Sequence, residues 1–200
     1  MTPITSEGLP DVAFPGRDRL IAAFDAAVSL ADVGAVTAAL RDAMCQLIRD
    51  PLVQLPACVH APVEGHYARR ELYRSPNYGY SLVAMTWAPG QGTPLHDHGG
   101  LWCVEGIWRG ALEISQFALV EQDGEKFRFV AATGVQAGPG SSGSLIPPHE
   151  YHTVRNSNEN TVAVSLHIYE APIESYMCFE PLGNDWYRSL LRTLETDALR

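Results

Sequence analysis

The chain lacks the features that would place it in a membrane, on nucleic acid or in a disulfide scaffold. Its four cysteines, Cys45, Cys58, Cys103 and Cys178, form no CxxC pair and no small disulfide framework. Reduced thiols in a cytoplasmic protein are the simplest reading. No apolar run approaches the roughly 18 residues that a bilayer span needs. Met1 to Gly16 carries prolines and acids but neither a basic n-region nor an apolar h-region, so no signal peptide is expected. Basic charge is also short: 14 Lys and Arg against 23 Asp and Glu give a net charge of −9. That balance argues against nucleic acid as a partner, because phosphate binding needs a basic surface. It leaves room for a small anion, which needs only one or two local cations. Internal repeats and low-complexity segments are absent as well.

What remains is enough apolar residue, 46% of 200, for one domain with a substantial core. Residues 1–66 read as an irregular lead-in followed by helices of the same domain. Ile21, Phe24 and Val28 share one helical face, and Val33, Val36, Leu40, Met44 and Leu47 form a second stripe. Ser29 to Asp32 reads as the break between two helices, with Asp32 as N-cap. From Tyr67 the texture changes. Strand-like segments at Tyr80–Trp87, Leu101–Trp108, Ala111–Leu119, Phe127–Val130, Ser144–Pro147, Tyr151–Arg155 and Thr161–Tyr169 alternate with turn residues. Gln122-Asp123-Gly124 is a hairpin signal, and Asn156 to Asn160 is a polar turn. The spacing predicts an all-β barrel or sandwich over 67–180, with N-terminal helices packed on it. Residues 181–200 read as a C-terminal arm or helix, centred on Asp185–Ala198.

The chemistry concentrates at His96-Asp97-His98. Two histidines one residue apart on an extended strand point to the same side, so both imidazoles can hold one ion. Gly90 and Gly92 lead in, and Gly99 and Gly100 follow. Imidazole suits first-row metals, and three neutral histidines with open positions suit an ion that must bind substrate. A third ligand should come from another strand. His149 and His152 are three apart and face opposite ways on a regular strand, so only one should reach the ion. The histidines alone would accept zinc, nickel or manganese as readily as iron.

These residues resemble known motifs. Gly90-x5-His96-x-His98 is similar to the first cupin motif, and Pro147-x4-His152-x3-Asn156 resembles the second, with His149 where glycine is usual. The first motif normally carries a glutamate soon after its second histidine. Here Trp102 and Cys103 stand in that region, and Glu105 falls two residues late. Replacement of the acid by cysteine resembles the cysteine dioxygenase family of thiol dioxygenases. Trp87, Gly90, His96, His98, Cys103, Gly110, His152, Asn156, Ser165, His167 and Tyr169 fall in register with it.

The resemblance implies a jelly-roll-like cupin barrel and a mononuclear Fe(II) held by His96, His98 and His152. It also implies small partners only: a thiol carboxylate, L-cysteine or 3-mercaptopropionate, and dioxygen. No nucleic acid or membrane partner is implied, and the protein would be a monomer or small homo-oligomer. Three neutral ligands leave the metal more positive than a carboxylate-containing set, which favours a substrate thiolate. Ser165, His167 and Tyr169 alternate on one strand and share a face, so a Tyr–His–Ser hydrogen-bond relay is expected to orient the phenol. Tyr169 takes the family's catalytic role, supported by His167 and Ser165. Cys103 is either a small buried hydrophobe or a thioether partner of Tyr169. Arg69 or Arg70 aligns with the family's carboxylate-binding position, Arg69 fitting the spacing from Tyr67 and Arg70 the ungapped distance back from His96. The two alternate in direction, so one should point inward, and Arg69 is favoured.

Departures leave other readings open. The family's Ser-Pro-Pro run after the tyrosine is replaced by Glu170-Ala171-Pro172, which leaves the exact thiol undefined. A second reading is a different metal cupin, a carbon-oxidising dioxygenase or isomerase, using His96, His98, Glu105 and His152. A third is a non-catalytic sensor cupin that binds an anion without consuming oxygen.

Overall fold

A computed structural model describes residues 12–199. Two helices come first, α1 over Arg17–Val28 and α2 over Val33–Ile48. The Asp32 carboxylate caps α2 by accepting the Ala35 backbone N–H at 2.9 Å. Eleven strands follow: β1 Ala68–Arg74, β2 Ser81–Trp87, β3 Leu95–His96, β4 Cys103–Arg109, β5 Leu112–Asp123, β6 Lys126–Ala137, β7 Ser142–Leu145, β8 His152–Arg155, β9 Ala163–Tyr169, β10 Ser175–Gly183 and β11 Trp186–Thr193.

One sheet has the order β1-β2-β9-β4-β7. The other, β10-β11-β6-β5-β8-β3, closes on itself through β3 and β10. The result is a jelly-roll-like β-sandwich with helices on the outer face of the first sheet. Among the described residues, no helix is long and apolar enough to cross a membrane.

The alternation of side chains along a strand decides what faces the interior. In β2, Leu82 and Ala84 pack outward onto Leu20, Phe24, Leu40 and Met44, while Val83, Met85 and Trp87 pack inward. In β9, Val164, Leu166 and Ile168 meet the helices, which leaves Ser165, His167 and Tyr169 between the sheets. Every residue of β2 and β9 is buried. The helices therefore let this sheet carry apolar side chains on its outer face, each worth about 2 kcal/mol of burial, and free the inner face for polar groups. Gly106 makes the close approach of α2 possible, because a Cβ there would collide with Met44 and Ile48.

The C-terminal reading needs correction. Asp185–Ala198 is neither helix nor loose arm. β10 and β11 form a hairpin, and β11 also pairs with β6. Asn184 and Asp185 both adopt positive φ, 52° and 63°, the conformation of a tight type I′ hairpin turn. The barrel accordingly runs past residue 180 to Thr193. Part of the expected N-terminal lead-in, residues 1–11, lies outside the described residues.

Candidate metal centre

β3 is only two residues long, and His98 sits just beyond it. His96 pairs directly with His152 of β8. One ring nitrogen from each of His96, His98 and His152 lies within 4.8 Å of the others, and all three residues are buried. Two of the rings are already oriented. His96 Nδ1 lies 3.0 Å from the Pro94 carbonyl, and His152 Nδ1 lies 2.9 Å from the Glu150 carbonyl. A carbonyl only accepts, so each Nδ1 carries the proton and each Nε2 is left with a free lone pair. His98 Nδ1 is buried without a partner. Burial holds all three imidazoles below their usual pKa, His98 and His152 well below. They are neutral donors at neutral pH, which is the form a metal needs. The donor set fits a divalent first-row ion with open positions. His149 is exposed and takes no part.

The inner faces of β4 and β9 form the wall behind this cluster. Across the ladder Cys103 pairs with Tyr169, Glu105 with His167 and Ile107 with Ser165. The expected relay is only partly present. Ser165 Oγ lies 2.8 Å from His167 Nε2, and Trp87 Nε1–H donates to Ser165 Oγ at 2.9 Å. Tyr169, however, stacks beside His167 at 6.0 Å between ring centres. Residues two apart on a strand stand roughly 6–7 Å apart, too far for the phenol to join that chain. Its hydroxyl lies instead beside the Cys103 thiol. Burial pushes the Tyr169 phenol well above its ordinary pKa, and the nearby Cys103 adds to this, while Arg69 opposes it. The Cys103 thiol is likewise pushed well up, by burial and then by Glu105.

Arg69 is 6% exposed and directs its charge toward this wall, where it acts on Cys103, His167 and Tyr169. Its Nη1 donates to Thr196 Oγ1 at 3.1 Å, and its Nε is buried without a partner. Arg70, the other candidate, turns away and donates to Thr86 Oγ1 and the Ala61 carbonyl. It braces β1 against the 3₁₀ turn over Ala57–His60. Glu105 is buried, but its carboxylate is not among the clustered ligand atoms. The metal set with a Glu105 ligand is therefore not assembled. The β4 bulge that could have swung a side chain round falls at Ile107–Arg109 instead.

The family model for cysteine dioxygenase type I matches residues 61–181. The chain belongs to the cysteine dioxygenase type I family. Among solved structures it is similar to a Thermus thermophilus protein (19% identity, TM-score 0.42, covering 57% of this chain and 91% of that one). It is also similar to an uncharacterised Klebsiella pneumoniae protein with a double-stranded β-helix domain (18%, 0.44, 62% and 87%). A third likeness is to a cupin 2 conserved barrel domain protein from Salinispora arenicola (16%, 0.41, 58% and 86%). These distant likenesses carry nothing about activity.

The cavity over the histidines encloses about 410 Å³ of empty space, part of it open to solvent. Its walls add residues that sequence reasoning missed: Ile173, Tyr176 and Leu194. Tyr67 stacks on Trp87 at 4.6 Å, and its hydroxyl lies near that of Tyr176. Beyond β11, the Asp197 backbone N–H donates to the Arg69 carbonyl at 2.7 Å, and the Asp197 carboxylate accepts the Arg69 N–H at 2.8 Å. The C-terminal segment therefore lies against β1 beside Arg69. Reading Gly183-Asn184-Asp185 as a turn would have exposed this hairpin. Asn156 has a structural part: its Nδ2 donates to the Trp87 and Thr161 carbonyls, which ties the end of β2 to the start of β9.

Proposed function

We propose that the protein is an iron-dependent thiol dioxygenase that adds both atoms of O₂ to the sulfur of a small thiol carboxylate, giving a sulfinic acid. L-Cysteine and 3-mercaptopropionate are the substrates that fit. The observation that carries this reading is the set of three neutral, buried imidazoles without a protein carboxylate. Membership of the cysteine dioxygenase type I family supports it. A ferrous ion held by His96, His98 and His152 would supply the redox chemistry that lets O₂ react with a thiolate.

The remaining work belongs to the chain's own residues. Arg69 holds the substrate carboxylate, a task suited to a planar guanidinium with two parallel donors. Tyr169, kept protonated by burial, donates its hydroxyl hydrogen to the bound substrate. His167 and Ser165 hold the wall behind it. Tyr67, Trp87, Ile173 and Leu194 exclude water and fix the reactants relative to one another. Cys103 pairs across the ladder with Tyr169, and that neighbourhood supports a thioether bond between its sulfur and the ring, the two hydrogens lost being taken up by dioxygen. The four free cysteines suit the reducing cytoplasm where we place the protein.

Oxygen uptake by iron-loaded protein with a panel of thiols tests the reading. Uptake with cysteine or 3-mercaptopropionate, lost in His98→Ala, is expected. Uptake with no thiol in the panel would end it.

A further inference from the structure

Glu105 has no part in the metal set, yet it is 5% exposed and sits opposite His167. Trp87 fixes what lies between them. An indole N–H can only donate, so Ser165 Oγ accepts from Trp87 and keeps its own hydrogen, which the acceptors facing His167 Nδ1 direct to His167 Nε2. His167 Nε2 is then an acceptor, and in the neutral ring the proton resides on Nδ1. That N–H faces two groups, the Cys103 sulfur at 3.9 Å and Glu105 Oε2 at 3.6 Å. The second distance is slightly beyond hydrogen-bond length, as is common before a site is loaded. A sulfur acceptor is weak, so the carboxyl is the stronger partner.

Glu105 also lines a second cavity that encloses about 600 Å³ of empty space, part of it open to solvent, with Ile107, Gln116, Thr133, Ser142 and Ser144 among its walls. No residue lines both this cavity and the one over the histidines. Thr133 and Val135 on its rim are exposed, so the space opens to solvent, and among mostly apolar walls Glu105, Gln116, Thr133 and the serines offer polar partners for water.

We propose that Glu105 is a positioning residue that receives the Nδ1–H of His167 and exchanges its own proton with water in the second cavity, so the buried wall behind the metal site is set from the far side of the barrel. The exchange is balanced: the carboxyl O–H passes its proton to a cavity water, and the carboxylate left behind accepts from His167. The groups facing Glu105 are consistent with one titrating member. Cys103 on its own strand and Tyr169 on β9 both feel its charge and are held protonated by burial. Arg69 on β1 and burial together keep His167 neutral, pushing it down to about 3. The polar side chains that β5, β6 and β7 bring to the cavity are Gln116, Thr133, Ser142 and Ser144, beside apolar ones such as Ile114, Val135 and Leu145, and none titrates. Burial pushes Glu105 up to about 7.

The test is long-range ¹H–¹⁵N NMR on histidine-labelled, metal-free full-length protein, with His167 assigned by His167→Gln. The expected wild-type spectrum shows a neutral Nδ1–H ring whose Nδ1 shift moves in one step with a midpoint near 7. Glu105→Gln keeps an acceptor and should keep the tautomer but lose the step. A proton on Nε2, a flat wild-type titration, or the same step in Glu105→Gln overturns the proposal, and the wild-type spectrum decides even if the variant does not fold. In the iron-loaded enzyme, Glu105→Gln should lose a limb near pH 7 in kcat while KM stays unchanged, and an unaltered limb overturns the catalytic consequence. That consequence rests on the dioxygenase reading. The NMR step does not, so an inactive protein that shows the step sinks only the dioxygenase reading.

Discussion

Removing the Ser165 hydroxyl should cost more stability than one hydrogen bond suggests. Ser165→Ala leaves two groups without partners, the Trp87 indole N–H and His167 Nε2, in residues 0% and 3% exposed. An orphaned buried polar group costs about 1–3 kcal/mol, so the substitution should destabilise the protein by roughly 2–6 kcal/mol. Trp87→Phe removes one of the two groups in advance. In that background Ser165→Ala orphans only His167, and its cost should fall to about 1–3 kcal/mol. Loss of the Tyr67 stacking and the gap left by a smaller ring cancel in the cycle, since both sides of the comparison carry them. Urea denaturation of the four metal-free proteins reads the coupling directly. Costs equal in both backgrounds within about 0.5 kcal/mol would refute the chain from Trp87 through Ser165 to His167, and with it the assigned tautomer.

Further outcomes are expected at other residues. Arg69→Gln should raise KM for thiol carboxylates roughly 10- to 100-fold, the worth of a charge-assisted hydrogen bond, and leave thiols without a carboxylate unaffected. Arg70→Gln should lower stability and not KM, which steady-state kinetics beside urea melts will separate. In the metal-free protein the contribution of Glu105 should fall as pH rises from about 4.5 to about 7, while His96, His98, His152 and His167, held neutral by burial, contribute in the opposite direction over the same range. Folded Glu105 binds its proton more tightly than the unfolded chain does, so raising the pH favours unfolding by up to roughly 3 kcal/mol. Glu105→Gln should remove that contribution, so in urea melts the variant should gain more stability than the wild type between these pH values. Gly106→Ala should cost about 1–3 kcal/mol in the same melts by pressing on Met44 and Ile48. Intact mass after turnover should show two hydrogens fewer in a fraction of the wild type and none missing in Cys103→Ser.

Much of this molecule is written in local patterns. The two helical stripes, the Asp32 cap and most strand positions follow from periodicity and turn residues, because each depends on neighbours in sequence. His96 and His98 are legible for the same reason. His152 could be narrowed only to one of a pair, since its choice over His149 depends on which face of β8 lines the barrel. The relay was misread because alternation tells which residues share a face, not which of them touch. Tyr169 meets its cross-strand partner Cys103 rather than its neighbour His167. The C-terminal hairpin turns on Asn184-Asp185, a weaker signal than Asn-Gly because both residues must take positive φ without a glycine, and Tyr176 and Leu194 reach the site only through it. The place of Glu105 depends on long-range pairing with β9 and on a cavity formed by three other strands, which no single segment encodes.

The most direct test of the account is the fate of isotopically labelled oxygen. Iron-loaded protein given a thiol carboxylate under ¹⁸O₂ should release a sulfinic acid that carries both labelled atoms. A product with one labelled atom, or with label on carbon, would contradict it.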